Sequence, residues 1–369
     1  MAKQTGSQKK QALTSSLFIN GVLILICIIW LVPTIGVLVT SFRDSRDIFS
    51  SGWWTIFPHK EFVEIGEINV ADTVDVDGVM SIEGTEATFL ELQQGVMLED
   101  GRKLVWYGNK RTRLIKIYEE QRVGFAANLT LENYENVLSG QVISFKDAEG
   151  KTITRQGNNM SGAFLNSIAV AVPATIIPIL IAAFAAYGFA WMNFPGRKIL
   201  FIIVVALLVV PLQLALVPIL RDYTKLDLNG TYLAMWLAHT GFGLPLAVYL
   251  LFNYIGTLPR DILESAFIDG ASHFTIFTTL ILPLSVPALA SFAIFQFLWV
   301  WNDYLVALVF LGDSNRVLTS ALAAMVGEKG ADWHLLTSGA FVSMILPLSV
   351  FFALQRFFVR GMMAGSVKG

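Results

Sequence analysis

The sequence predicts an all-α polytopic membrane protein of six transmembrane helices, with a small, mostly β extracytoplasmic insertion between helices 1 and 2. Three observations carry that prediction. Apolar residues make up 54% of the chain and charged residues 15%, where a soluble domain carries about 25% charge; the mean hydropathy is +0.61. The apolar residues gather into runs of the length a helix needs to cross hydrocarbon, about 20 residues. The charge is segregated: between Arg43 and Arg155 stand 13 Lys/Arg and 19 Asp/Glu, and the remainder of the 369 residues holds 13 and 9. A net charge of −2 offers no basic field for nucleic acid. The single cysteine, Cys27, excludes a disulfide framework or a Cys-based metal cluster.

Taken in order, residues 1–16 read as a cytoplasmic tail and 17–41 as the first span. That run is too long for a cleaved signal peptide, and Trp30 and Pro33 interrupt such a reading. Residues 42–162 form the insertion. Within it, 62–70 and 104–107 are β-rich or alternate, and Glu99-Asp100-Gly101-Arg102 reads as a hairpin turn between them. Residues 129–138 read as a short helix, with Thr130 as N-cap and Asn133 in place of a capping-box acid. The insertion holds one histidine, His59, and no nucleophile–base arrangement, so it reads as a lid or docking surface.

The remaining spans are 163–191, 199–220, 232–254, 283–311 and 335–359, a membrane core over 163–360, and residues 361–369 read as a second tail. Pro173 and Pro178 predict a kink in the second span, Pro283 and Pro287 in the fifth. Lys/Arg in the short flanks set the orientation. Lys3, Lys9, Lys10, Arg197, Lys198, Arg260, Arg356, Arg360 and Lys368 fall on one side; Arg221, Lys225, Arg316 and Lys329 fall on the other. Both termini are therefore expected in the cytoplasm. Arg43 and Arg46 stand on the opposite side, each with an acid nearby (Asp44, Asp47), ahead of a long segment of the kind that crosses largely regardless of charge.

One connection is unlike the others. Residues 255–282 are semi-polar and helix-compatible. Pro259 suits the first turn of a helix, and Asp261 and Glu264 lie toward its positive end. Gly270, six residues after Glu264, suits a helix end or tight bend. Small Ser265 and Ala266 would let another surface approach, and Glu264 and Asp269 would accept hydrogen bonds from it. A connector resting on lipid headgroups would carry more basic residues than Arg260 alone.

The run Glu264-Ser265-Ala266, three residues, Gly270, nine residues, Leu280-Ile281-Leu282-Pro283 resembles the coupling-loop signature of bacterial ABC importer permeases. There the pattern is Glu-Ala-Ala, three residues, Gly, nine residues, Ile, any residue, Leu-Pro; Ser265 and Leu280 are mild departures. Phe164-Leu165-Asn166-Ser167, Trp301-Asn302-Asp303-Tyr304 and the terminal Arg360-Gly361-Met362-Met363-Ala364-Gly365 are similar to maltose-type sugar permeases. The enlarged insertion resembles the α-glucoside branch. The resemblance implies a type I importer permease in the bacterial inner membrane, carrying maltose- or α-glucoside-type oligosaccharides. It implies two ATP-binding cassette ATPase subunits, a second homologous permease and a periplasmic sugar-binding protein as partners, alongside membrane lipid. Glu264, Ser265, Ala266, Asp269, Gly270 and Pro283 would then couple to the ATPases. The chain holds no G-x-x-x-x-G-K-[ST] phosphate loop, so it is expected to be no enzyme, and no cofactor or metal is implied.

Asp303 is the only acid in a predicted span, next to Asn302 and flanked by Trp299, Trp301 and Tyr304. Ring faces beside hydrogen-bonding groups suit a sugar, so Asn302, Asp303, Trp299 and Tyr304 are candidates for the substrate path. An interfacial aromatic belt, with Asp303 capping a neighbouring helix, is the other reading. Asn166, Gln213 and Gln296 read as interhelical glue, and His239 as a satisfied packing residue. An ion-coupled secondary transporter is the rival function. It would use ionisable groups near mid-membrane, and would leave the loop at 255–282 unexplained.

Overall fold

The computed structural model describes residues 6–44, 47–48, 51–71, 73–123, 129–140, 142–146, 152–156, 159–313, 315–325 and 333–364. Lys3, Arg46, Lys329 and Lys368, used above for orientation, and residues 1–5 and 365–369 of the two tails lie outside the described residues. The chain divides into two units, at residues 1–130 and 131–369.

The first unit opens with α1, Gly6–Ser41. Residues 6–16, expected as tail, continue the helix, as the helix formers Gln8, Lys9, Lys10, Gln11, Ala12 and Leu13 allow. From Leu17 to Leu38 its large apolar side chains are exposed on every side, the pattern of a helix facing lipid or another helix. After a 3₁₀ turn at Trp53–Ile56 the chain enters a β region. Its strands are β1 (His59–Asn69), β2 (Val79–Ile82), β3 (Thr85–Thr88), β4 (Val96–Met97), β5 (Lys103–Tyr107) and β6 (Leu114–Val123), with α2 (Phe89–Gln94) between β3 and β4. β1-β6-β5-β4 form an antiparallel sheet, and β2 pairs with β3 as a separate hairpin. Alternation along β5 turns Leu104 and Trp106 inward against Ile115, Leu92 and Met80. A full capping box starts α2: Thr88 Oγ1 accepts the Glu91 N–H at 3.4 Å, and Glu91 Oε2 accepts the Thr88 N–H at 2.8 Å. The turn Glu99–Arg102 joins β4 to β5 rather than 62–70 to 104–107, since β6 stands between β1 and β5 in the sheet; Gly101 takes φ +87°, and Asp100 Oδ1 accepts the Arg102 N–H at 3.0 Å.

The second unit begins with α3, Glu132–Ser139. Its cap position is Leu131, whose side chain makes no capping bond, one residue after the expected Thr130. The Thr130 N–H is spent on the Phe42 carbonyl at 2.6 Å, which holds it in an extended segment beside the Arg43–Leu129 bridge. Asn133 is buried. Val137 packs into the helical core, and Ser161 Oγ donates to the Leu138 carbonyl at 2.7 Å, so this helix belongs with the membrane core rather than with the sheet. A hairpin, β7 (Val142–Lys146) and β8 (Thr152–Gln156), follows.

The helical core comprises α4 (Met160–Trp191), α5 (Arg197–Ala206), α6 (Leu212–Lys225), α7 (Tyr232–Ile255), α8 (Arg260–Ile268), α9 (His273–Ile276), α10 (Leu282–Leu284), α11 (Val286–Trp301), α12 (Leu305–Phe310), α13 (Leu318–Met325) and α14 (Trp333–Ala364). Among the described residues four helices are long and apolar enough to cross a membrane, and six spans result if each of two bent pairs counts as one. α4 runs unbroken through Pro173 and Pro178. The bend expected at Pro283 and Pro287 is present: the segment before Ser285 meets α11 at 72°. A sharper one, 100°, divides 199–220 between Val209 and Leu212, around Pro211. The run 283–311 is not one helix either, since α11 stops at Trp301 and α12 begins at Leu305. Hydropathy reports length of apolar chain and says nothing of its axis.

α4 and α7 meet through Ala182, Ala183, Ala186 and Ala247, small residues that bring the backbones together. Gly243 of α7 faces Gln296 of α11, where an added Cβ would stand 2.5 Å from the side-chain oxygen. Asn166 bridges as expected: Nδ2 donates to the Arg316 carbonyl at 2.9 Å, and Oδ1 accepts the Tyr232 hydroxyl at 2.7 Å. Gln213 is exposed on α6.

Candidate functional site

The loop between α7 and α10 is built around α8. Pro259, at φ −60°, precedes its first residue, and Asp261 lies in the first turn, favourable toward the helix dipole. Leu263 is buried and Ala266 half-buried, and these two seat the helix on the core that holds Tyr187, Leu251 and Phe277. Glu264, Ser265 and Asp269 face solvent, although Ser265 Oγ is turned back to donate to the Asp261 carbonyl at 2.7 Å. The helix ends in a Schellman motif. Gly270 takes φ +78°, its N–H donates to the Phe267 carbonyl, and the Ala271 N–H donates to the Ala266 carbonyl, both at 3.0 Å. Ser272 then caps α9 by accepting the Thr275 N–H at 3.2 Å. Nothing lies within 4 Å of a Cβ added at Gly270, so the glycine answers a backbone demand and not a steric one.

Two contacts hold the loop to the end of α4: the Tyr187 hydroxyl meets His273 Nδ1 at 2.8 Å, and Trp191 Nε1 donates to the Ile255 carbonyl at 3.2 Å. The structure thus brings Glu264, Ser265, Ala266, Asp269 and Gly270 onto one short helix and its terminal turn. Pro283 lies further on, in α10, after a π-helical turn at Phe277–Ile281 and beside the Ser285 bend. Sequence reasoning missed the apolar half of this surface. Ile268 is 86% exposed and Phe274 69%, with Ile262 and Phe267 also exposed. The signal was present: Ile262-Leu263 and Phe267-Ile268 are adjacent apolar pairs, and one helix face cannot bury both members.

The second cluster lies where α11 gives way to α12. Trp299, Asn302 and Tyr304 are exposed, and Asp303 Oδ1 accepts the Val306 N–H at 3.4 Å, capping the start of α12. Thr319 Oγ1 donates to the Asp303 carbonyl at 2.7 Å, and Asn302 Nδ2 to the Leu298 carbonyl at 2.8 Å. His239 of α7 is not the satisfied packing residue expected. It is fully buried, its Nε2 stands 3.5 Å from Asp303 Oδ2, and its ring meets Trp299 edge-on at 5.1 Å. Among the described residues neither ring nitrogen has a hydrogen-bond partner, nor does Asp303 Oδ2 or the neighbouring Thr240 Oγ1. Each such group costs about 1–3 kcal/mol when left unpaired. Gln296, by contrast, is the expected glue, its Nε2 donating to the Ala174 carbonyl at 3.1 Å and the His239 carbonyl at 3.3 Å. Among the described residues no group of three or more His, Cys, Asp or Glu is placed to hold a metal ion.

Apolar spans, bent helix pairs and a surface helix in a connecting loop define a multi-pass membrane protein. Residues 163–364 match the family described as binding-protein-dependent transport system inner membrane component. The chain is 45% identical to an osmoprotective compounds uptake permease of Synechocystis, over 99% of this chain and 97% of that one. It is also 45% identical to an alpha-glucoside transport system permease of Rhizobium meliloti, over 94% and 95%. A trehalose/maltose permease of Thermococcus litoralis is 34% identical over 65% of this chain and 82% of its own length. A solved bacterial ABC transporter for alginate import shares the fold, with a TM-score of 0.58 at 13% identity over 97% of this chain and 100% of that one. The chain belongs to the binding-protein-dependent inner membrane component family, the permeases of ABC importers, and as a permease subunit it is not an enzyme.

Proposed function

We propose that the chain is the permease subunit of an ATP-driven importer of α-linked glucosides, working beside a second homologous permease. A periplasmic binding protein delivers the sugar and two ATP-binding cassette subunits supply the energy. The exposed face of α8 carries this reading. It combines apolar Phe267 and Ile268 with acidic Glu264 and Asp269 on a helix whose end is fixed by the Gly270 turn. A surface both apolar and charged fits a protein cleft, and closure of an ATPase pair on it would move the attached spans as rigid bodies. In this reading α8 faces the cytoplasm, as do both termini, and the β region of 59–123 faces the periplasm. Trp299, Asn302, Asp303 and Tyr304 line part of the sugar's route, with ring faces for stacking and polar atoms for hydroxyls.

The substrate class rests on relatives whose names specify alpha-glucosides, trehalose and maltose, and osmoprotective compounds. The test is reconstitution of the complex in proteoliposomes with its binding protein, and uptake of a panel of α-linked disaccharides. ATP-driven accumulation of at least one of them supports the reading; uptake of none refutes the substrate class.

A further inference from the structure

We propose that His239 is a positioning residue for the sugar route, fixing Trp299 and Asp303 where a sugar hydroxyl completes their hydrogen bonding. The inference rests on the reading that Trp299, Asn302, Asp303 and Tyr304 line that route. The backbone around His239 is held first. Gln296 of α11 bonds the carbonyls of both Ala174 and His239, tying α4, α7 and α11 together at this level. The imidazole therefore has little freedom to move away from its neighbours. It touches two residues of the proposed route, the Trp299 ring edge-on at 5.1 Å and Asp303 Oδ2 at 3.5 Å from Nε2.

Asp303 has one oxygen committed and one left over. Oδ1 caps α12 through the Val306 N–H, and the backbone carbonyl takes Thr319. Oδ2 points at the imidazole without a hydrogen bond, and both imidazole nitrogens and Thr240 Oγ1 are likewise unpaired among the described residues. A histidine kept for packing would be satisfied, or could be a phenylalanine. Both imidazole nitrogens and Asp303 Oδ2 lack a hydrogen bond, with only the 3.5 Å approach of Nε2 to Oδ2 between them; that carries a cost with no return in stability, and departures of that kind gather at functional sites. A hydroxyl is donor and acceptor at once, so it matches a carboxylate oxygen beside an imidazole nitrogen. Small movement of the α11–α12 turn would open the pair to it, and the Trp299 face supplies the stacking surface.

The readout is selectivity, because a purely structural defect slows every sugar alike. The complete complex is reconstituted with saturating binding protein, and initial uptake rates are compared for its two best-carried α-linked disaccharides. Assembly is checked by co-purification of the ATPase subunits. His239→Phe keeps the ring and its edge contact but removes both nitrogens; it should shift the rate ratio by about fivefold or more. His239→Gln, which restores a donor, should recover part of the shift. An unchanged ratio in an assembled His239→Phe complex overturns the proposal. Should His239→Phe fail to assemble, the double-mutant cycle of His239→Gln with Asp303→Asn decides: additive effects on the ratio overturn it, and coupled effects support it. Trp299→Ala and Asp303→Asn separate the two levels. If neither alters the ratio, the route itself is misplaced; if both do and His239→Phe does not, only the positioning role fails.

Discussion

At Gly270 one dihedral angle decides the shape of the loop. Its φ of +78° is open to glycine, tolerable for asparagine, costly for alanine and closed to proline, whose ring fixes φ near −65°. Proline would also remove the N–H that bonds the Phe267 carbonyl. Since a Cβ there meets nothing, the order of damage follows backbone strain alone. Sugar-stimulated ATP hydrolysis by the complex should fall in the order Gly, Asn, Ala, Pro; equal activity of the alanine and proline variants would refute this account of the turn. Glu264→Ala tests the side chain instead. Losing one charge-assisted hydrogen bond costs about 1.5–3 kcal/mol, so co-purification of the ATPase should weaken by roughly 10- to 100-fold at unchanged expression. The need for glycine was legible in the sequence, because spacing from Glu264 placed it at a helix end. The Asp303–His239 pair was not, because 64 positions of chain separate the two and only packing of α7 on α11 brings them together.

Single elements were legible in proportion to how local their causes are. β5 and the Glu99–Arg102 turn follow from alternation and turn residues, and the spans from apolar length. The 100° break at Pro211 has a local cause, the proline pushing Val210 into extended conformation, yet hydropathy alone is blind to it and to the stop at Trp301. The helix at 132–139 was announced by its pattern, and its cap position falls at Leu131, one residue after the expected Thr130. The β region offers a direct test. A fragment of residues 51–123 contains the whole four-stranded sheet and should give a mainly β circular dichroism spectrum; a random-coil spectrum would contradict an independent core. In it, Leu92→Ala should cost about 2–5 kcal/mol, read by urea unfolding, since Leu92 is fully buried. Acid should weaken the fragment too. The Thr88 backbone N–H holds Glu91 below the ordinary carboxylate range, and Lys110 does the same for Asp77. Depressed carboxylates bind protons more readily in the unfolded chain, so the stability they add is present above the usual pKa and is lost as pH falls through the folded one. A urea midpoint that rose on acidification would contradict those contacts.

For the whole molecule, the family and the fold agree on a permease, and what they leave to experiment is the source of energy. A chain without a phosphate loop should hydrolyse no ATP when purified alone; turnover surviving removal of co-purifying ATPase would contradict this. Composition and apolar runs made the membrane body legible from the outset, and four spaced motifs pointed to the family. The partners were legible only through that resemblance; in the proposed function an ATPase cleft would leave no more trace in this chain than an exposed apolar and acidic helix face. Among the described residues, the His239–Asp303 pair is an arrangement that an ion-coupled carrier would also value. The decisive measurement is therefore uptake of an α-linked disaccharide by the complete complex in sealed vesicles, with ATP, with vanadate and with an uncoupler. Uptake should require ATP, be abolished by vanadate and survive the uncoupler. Uptake that persists in vanadate and collapses with the uncoupler would contradict the proposed function.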